Sequence, residues 1–493
     1  MDSSVFKDLA QRYKQIPSVR TISSDHLTPV IAFERLRALS PVRFLFESVE
    51  GIGGMARYSF IGCSPSEIIT AKGNTITVEK NGNSTTFSMS IYNYLSQRVD
   101  EFAGYTSPHY SGFSGGLVGY LGYETIGAIE DVITFKQKTG IETPDAFFGV
   151  FLNLVVFDHH KHCIHIIANA DIESSEELEE SHNAVEKMLA LFEAKLNTVE
   201  QAQTQPFHLL EQHYSDLEES DFLNLVERCK QNIFEGDVFQ IVLSKRFGAK
   251  YQGDLFNVYR ALRSINPSPY MYFYEVENNF TVIGTSPEDL LQVKNGRATI
   301  LPIAGTRKRG KTHEEDLALE VDLLSDTKEL AEHTMLVDLA RNDLGRFCNY
   351  GTVKVTEKMN VHRFSHVMHI VSRVEGEMKE GKNCIDALKA SFPAGTVSGA
   401  PKIRAIQLLE EYEPCMRNIY AGAVGYIDFR GNLDMCIAIR TLFAKGDELY
   451  WQAGAGIVAD SVPETELQEI KNKSAVLVNA LSKAEVIDAS SGD

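Results

Sequence analysis

A chain of 493 residues, 43% apolar and 23% charged, has ample material for a large core and for one composite domain or several. Its 67 acidic against 48 basic side chains leave a formal charge of −19, which argues against nucleic acid or an anionic membrane as partner, since both require a basic surface. No stretch approaches the roughly 18 consecutive apolar residues that a spanning helix needs.

The N-terminus, MDSSVFKDLAQRYKQIPSVR, has neither an apolar h-region nor an Arg-rich transit character, so a cytoplasmic location is expected. Seven cysteines without a C-x-x-C pair read as reduced packing thiols. From about residue 26 to 170 short strands alternate with glycine turns: Arg43 to Ser48, Arg57 to Gly62, Thr75 to Glu79 and Phe147 to Phe157. Gly51 to Ala56 and Gly454 to Ala459 are only loose dinucleotide fingerprints, and Gly112 to Gly116 fits a nucleophile elbow on paper without a strong apolar strand before it. The polar, acidic run between Asp171 and His213, with a helix over Glu176 to Leu196, is the best linker candidate.

The second half mixes long helices with strands such as Thr299 to Ile303 and Asp434 to Ile439. Gly305 to Thr312 fits the phosphate-loop pattern letter by letter, yet no β-α-β unit surrounds it, and a basic surface loop is the plainer reading. One long amphipathic helix is expected over Glu315 to Asp343. Helices and strands do not alternate regularly, so the fold class expected is α+β, with large antiparallel sheets packed between outer helices.

Two acidic pairs carry the chemistry. Glu329 and Glu332, then Glu466 and Glu469, each have i, i+3 spacing, which puts both carboxylates on one helix face, with Lys473 one turn beyond the second pair. Brought together, the two faces could cage a hard divalent cation such as Mg²⁺; apart, they are solvated acidic surfaces. Ser461 to Glu464 reads as a capping box that starts the second helix. Ala394 to Lys402 places small residues and the Thr396 hydroxyl before an apolar-periodic helix, a candidate carboxylate site. Gly454 and Gly456 allow a bound anion to approach backbone amides, or simply make a tight turn. Arg440 can hold a carboxylate in a fork or make a surface ion pair. His369 is a core histidine or a general base. Glu288, in a turn-to-helix position, is a helix-start carboxylate or a proton donor.

Taken in order, these motifs resemble the chorismate-utilising enzymes, and within them the branch of anthranilate synthase component I. The resemblance rests on Asn266 to Phe273, Gly284 to Glu288, Pro302 to Arg307, Glu329 to Gly345, Ala394 to Lys402, Ala421 to Tyr426, Cys436 to Thr441 and Ala453 to Gly456, with sparser matches in the first half at Ile16-Pro17, Phe44 to Ser48 and Arg57 to Gly62. It implies a Mg²⁺ held by Glu332 and Glu469 with Glu329 and Glu466 in or near its shell. It further implies that Arg440 and Tyr420 grip the enolpyruvyl side of chorismate, and that Thr396, Gly454, Gly456 and Lys473 line the ring-carboxylate end. Glu288 would protonate the departing C4 oxygen, and His369 would assist pyruvate loss.

Two positions then choose among the family's reactions. Water-using members carry a lysine where this chain has Gln240, and aminodeoxychorismate synthases commonly carry one where it has Ala304. The resemblance therefore implies ammonia attack at C2 and anthranilate as product. The alternatives are an aminodeoxychorismate synthase or a non-catalytic regulatory subunit of the same fold. The resemblance further implies a glutamine amidotransferase as source of the ammonia and a heterotetramer; none of the seven cysteines lies in a Gly-x-Cys-x-Gly motif, so that activity is expected on a partner chain. L-Tryptophan is the expected inhibitor, at Glu47, Ser48, Pro269, Tyr270 and Met271, where Phe46 replaces the family's usual leucine. Residues 1–200 would be the strand-rich regulatory region, packed into the same sheet system, and 201–493 the chorismate-binding region.

Overall fold

Aromatic and β-branched residues recur at alternate positions along most of the strands, and where both faces of a strand are apolar it becomes an inner strand covered on both sides. The computed structural model describes residues 3–48, 57–136, 138, 140–172, 178–198, 205–363 and 367–487. Among them the strands form two large antiparallel sheets, of 13 and 12 strands. The expected segment Gly51 to Ala56, and residues 173–177 and 199–204 of the linker candidate, lie outside the described residues.

The first sheet runs from the edge strand Gln15–Ser23 through Val42–Glu47, Tyr270–Val276, Phe280–Ser286 and Thr441–Lys445 to Glu448–Ile457 and Gln240–Gln252. The second runs from Ile303–Lys308 through Val367–Glu377, Asp289–Lys294, Leu433–Ile437 and Ala423–Asp428 to Gly116–Leu121 and beyond. Strands from the first 200 residues and from the remainder are neighbours in both sheets: Val42–Glu47 pairs with Tyr270–Val276, and Gly116–Leu121 with Ala423–Asp428.

The sheets face one another across an aromatic core. Phe44, Tyr272, Tyr274 and Phe280 of the first meet Tyr120, Phe147 and Phe151 of the second. Phe147 packs edge-on against both Phe280 and Tyr274, with ring centroids 5.1 and 5.8 Å away, the offset that aromatic quadrupoles favour. Helices cover the outer faces, so the layers run helix, sheet, sheet, helix. The helix Leu178–Leu196 buries Val185, Leu189, Phe192 and Leu196 against the first sheet, so this part of the linker candidate is packed structure.

Several expected elements divide. The run Phe147 to Phe157 is two strands, Ala146–Phe151 in the second sheet and Asn153–Asp158 in the first, because the chain changes sheet at Leu152, whose carbonyl accepts from the Asn169 side chain. The single helix expected over Glu315 to Asp343 is two, His313–Ser325 and Thr327–Gly345. Asp326 stops the first and caps the second, its carboxylate accepting from the amides of Lys328 and Glu329. Thr299 to Ile303 breaks at Leu301-Pro302, since proline has no N–H to give to a ladder. The phosphate-loop match does lie between a strand and a helix, but acidic side chains take its amides: Gly310 N–H donates to Asp316 and Lys311 N–H to Glu315, while Thr312 caps the helix. That leaves a surface turn.

His333, fully buried on Thr327–Gly345, bonds through Nε2 to the Ser372 hydroxyl, which also accepts from the Met359 amide. Burial pushes its pKa down from 6.5 to about 4. The neutral ring thus contributes stability that is complete above 6.5 and is lost as pH falls toward 4. Equilibrium unfolding between pH 7 and 4 should show a loss on the order of 2–3 kcal/mol that His333→Gln removes.

Candidate active site

The chain passes from one sheet to the other at two neighbouring turns. Between Phe280–Ser286 of the first sheet and Asp289–Lys294 of the second stands Glu288, and between Leu433–Ile437 of the second and Thr441–Lys445 of the first stands Arg440. The turns are tied by backbone bonds, Thr285 N–H to the Arg440 carbonyl at 3.3 Å and Ile437 N–H to the Glu288 carbonyl at 3.1 Å. Glu288 therefore does not start a helix, as its sequence position suggested; a strand follows it. Arg440 adopts φ of +49°, uncommon for a side chain with a Cβ and held here by the crossing. Its Nη1 donates to Asn266 Oδ1 at 3.4 Å.

Around this pair the other candidates gather. Burial raises the Glu288 carboxyl above its ordinary range, against the opposing pull of Thr396, Lys473 and Arg440. Thr396 lies in the short turn Gly395–Val397, followed by the bridge Gly399–Ala400, so it is not at the start of the helix Lys402–Tyr412 as expected. Its hydroxyl is close enough to act on Glu288, yet it is buried and makes no hydrogen bond of good geometry. A buried hydroxyl of this kind is open to a ligand. Lys473 Nζ donates to the Gly454 carbonyl at 2.8 Å and pairs with Glu469 at 2.7 Å.

Gly454 and Gly456 lie on the inner strand Glu448–Ile457. A Cβ on Gly454 would stand 2.6 Å from the Tyr420 hydroxyl, and one on Gly456 2.6 Å from Gln240 Nε2. Tyr420 is buried, and Glu288 contributes to the upward shift of its phenol. His369 lies on Val367–Glu377, with Nδ1 2.9 Å from the Gly305 carbonyl and 3.0 Å from Thr306 Oγ1. Bonding to the carbonyl fixes the proton on Nδ1 and leaves Nε2 as the basic nitrogen. Burial lowers the His369 pKa, and the charge of Arg440 lowers it further.

The acidic pairs lie on two helices, Thr327–Gly345 and Pro463–Ala484, in the expected phase. Ser461 is not the cap, because Pro463 opens the helix after Val462. The Ser461 hydroxyl instead accepts from Val458 N–H and bonds the Glu466 carboxyl. Burial and the like charges of Glu329 and Glu469 raise the Glu332 carboxyl, and burial and Glu469 raise Glu466. The two faces thus sense each other. Among the described residues, however, no three His, Cys, Asp or Glu side chains converge tightly enough to hold a metal ion, and Glu469 is turned toward Lys473. Four carboxylates on two helices, with Glu332 and Glu466 both raised, form an all-oxygen donor set whose repulsion a hard divalent cation would relieve, so the residues fit Mg²⁺. Lys328, whose charge acts on both Glu332 and Glu466, had no motif to reveal it.

A separate cavity of about 300 Å³ opens between the sheets, lined by Glu47, Ser48, Pro269, Tyr270 and Met271 together with Asp434. Glu47 is buried, accepting from Tyr259 at 2.5 Å and pairing with Arg263 at 2.9 Å. Among the described residues the buried Ser48 hydroxyl has no hydrogen-bond partner. Tyr270 donates to Asp434, whose carboxyl is pushed up to about 6, chiefly by burial.

A family profile described as chorismate binding enzyme matches residues 82–479. The chain belongs to this family, and to its anthranilate synthase component 1 branch. It is 42% identical over 488 residues to the anthranilate synthase component 1 of Acetivibrio thermocellus, covering 97% of both chains. It is 43% identical over 491 residues to that of Bacillus caldotenax, covering 97% of this chain and 96% of the relative. The crystal structure of anthranilate synthase component I from Streptococcus pneumoniae TIGR4 superposes with a TM-score of 0.76 at 39% identity, over 92% of this chain and 98% of that one. The menaquinone-specific isochorismate synthase of Escherichia coli shares the fold, with a TM-score of 0.69 at 17% identity over 97% of this chain and 98% of that one.

The two glycines differ in what a methyl group would meet. Gly454→Ala forces the Tyr420 hydroxyl aside and is expected to raise the KM for chorismate at least about tenfold, since small displacements of a binding group are costly. Gly456→Ala meets only the flexible end of Gln240 and should cost far less; steady-state kinetics on both variants checks this.

Proposed function

We propose that this chain is the chorismate-converting component of an anthranilate synthase, aminating C2 with ammonia and then eliminating pyruvate to give anthranilate. The observation that supports it most is the grouping of Glu288 with Arg440, Lys473 and the unpartnered Thr396 hydroxyl, a proton donor inside a carboxylate-binding frame. Arg440 and Tyr420 hold the enolpyruvyl carboxylate, while Thr396, Lys473 and the amides near Gly454 and Gly456 surround the ring carboxylate. Glu288, whose acid form burial favours, gives its proton to the C4 oxygen as that group leaves. His369, whose charged form burial disfavours, would assist the later loss of pyruvate.

Glu332 and Glu469 would hold Mg²⁺, with Glu329 and Glu466 beside them. The ion, when bound, neutralises the ring carboxylate and stabilises charge that develops as C4 loses its oxygen. Glu469 must then exchange its bond to Lys473 for the cation, a rotation that a half-exposed pair permits at small cost.

Gln240 offers no basic atom to activate water, and Ala304 no amine to attack C2 in place of ammonia. Both favour ammonia at C2. At neutral pH most ammonia is ammonium, which is the reason for a glutamine amidotransferase partner and a hetero-oligomer. The cavity lined by Glu47, Ser48, Pro269, Tyr270 and Met271 would bind L-tryptophan as feedback inhibitor: its aromatic walls suit an indole, and Glu47 and Ser48 suit the amino-acid end. By this reading residues 1–200 serve regulation and 201–493 carry the chemistry.

The purified chain with chorismate, Mg²⁺ and an ammonium salt at mildly alkaline pH should produce anthranilate fluorescence; silence, or 4-amino-4-deoxychorismate as product, rejects the proposal. Glu469→Ala should abolish Mg²⁺-dependent turnover with an unchanged circular dichroism spectrum. At fixed free ammonia, kcat should fall as pH rises through the elevated Glu288 pKa, because the acid form is required. Glu288→Gln should lower kcat by about 10² to 10⁴ and erase that limb of the profile. Ser48→Tyr, which fills the cavity mouth, should raise the tryptophan concentration for half-inhibition at least about tenfold, as measured by inhibitor titration.

A further inference from the structure

Directly behind the candidate active site lies a charge pair that the chemistry above does not use. Arg417 and Glu413 have side chains only 2% and 4% exposed. Arg417 Nε donates to Glu413 Oε2 at 2.7 Å and Nη2 to Oε1 at 2.6 Å, a two-point fork. The remaining donors reach backbone on two other elements: Nη1 to the Val397 carbonyl and Nη2 to the Val242 carbonyl, each at 2.7 Å. The guanidinium also lies 4.7 Å from the ring centre of Tyr123 and 5.5 Å from that of Tyr420. Glu413 Oε1 in turn accepts from the Ser244 amide at 2.9 Å and the Ser244 hydroxyl at 2.5 Å, and Gln452 Nε2 donates to that hydroxyl at 2.7 Å.

Apart from Tyr123, every group so held is one step from a residue assigned to the substrate. Val397 follows Thr396. Val242 and Ser244 are the ladder partners of Gly456 and Gly454. Gln452 is two residues before Gly454 on the same face of its strand, and Tyr420 touches Gly454. Neither charged side chain is among the groups assigned to the substrate. Two buried charges are costly to desolvate, and hydrophobic residues of similar volume could fill the space at no loss of stability. A fold-only explanation therefore accounts poorly for this pair, whereas four elements requiring a fixed mutual geometry account for it well.

We propose that the Arg417–Glu413 pair is a positioning device that sets the distance between Thr396, Tyr420 and the Gly454–Gly456 backbone, and so the fit of the carboxylates of chorismate. The inference rests on the function proposed above. It makes Arg417 a positioning residue, acting through Tyr420 and Val397.

Arg417→Lys keeps the positive charge but removes the fork and the planar stacking surface. Steady-state kinetics with chorismate and ammonium salt, alongside thermal unfolding, tests the proposal. For the folded variant the KM for chorismate should rise about tenfold or more and kcat/KM should fall by on the order of 100-fold, while the KM for ammonia stays within about twofold. A merely structural role would lower the melting temperature and the active fraction, reducing apparent kcat at unchanged KM for chorismate; that result overturns the proposal. If Arg417→Lys does not fold, Ser244→Ala decides: it removes a single hydroxyl from the network, and a KM for chorismate raised about threefold supports the device, while an unchanged KM overturns it. Wild-type chain that makes no anthranilate refutes the proposed function itself, whereas active wild type with kinetically silent variants refutes only this inference.

Discussion

The molecule is organised by a constraint on chain path: the polypeptide must leave one sheet and enter the other at adjacent points without leaving backbone groups unpaired. Glu288 and Arg440 occupy those crossings, and the bonds from Thr285 N–H and Ile437 N–H lock the two turns together. A side chain on a regular strand can point only up or down from its sheet, whereas one at a crossing can point along the gap between sheets. The oppositely charged pair is thereby held half-buried, and burial shifts both pKa values toward the neutral forms, with each charge opposing the other's shift. The glycine strand, Tyr420 and Thr396 are arranged around that fixed point.

Much of this was legible in the sequence where a local rule governs. The i, i+3 carboxylates lie on helices in the expected phase, and the alternating apolar run around His369 is an inner strand. The five residues that only the family resemblance grouped line one cavity. The α+β class with large antiparallel sheets follows from strand patterns that never alternate regularly with helices. What failed to show was long-range. Nothing local in Phe147 to Phe157 reveals that the chain changes sheets at Leu152. Nothing in Glu413 or Arg417 reveals that they are buried, because surface helices carry the same i, i+4 pair. Asp326 looked like an interior residue of one helix and is the cap between two, since a cap and a mid-helix aspartate are distinguished only by backbone direction.

The acidic helices show where electrostatics and geometry part company. Glu332 and Glu466 both register the charge of Glu469, yet Glu469 is drawn to Lys473. A like-charge cluster of this kind is destabilising on its own and gains from any compensating cation, whether a lysine ammonium or a divalent ion. On the proposed reading, Lys473, Lys328 and a divalent ion would compete for the same carboxylates, and occupancy of the site would be linked to where the Lys473 ammonium rests.

Because each sheet joins a block of strands from early in the sequence to a block from late in it, most contacts link residues distant along the chain. The strand Glu448–Ile457 is an inner member of the first sheet, with Gln240–Gln252 on one side and Thr441–Lys445 on the other. During synthesis that sheet cannot close until nearly the whole polypeptide has left the ribosome, so its earlier strands wait with open edges. Such a topology folds slowly and is exposed to self-association while it waits, which ties the yield of active protein to chaperone supply and growth temperature as much as to the stability of the finished fold.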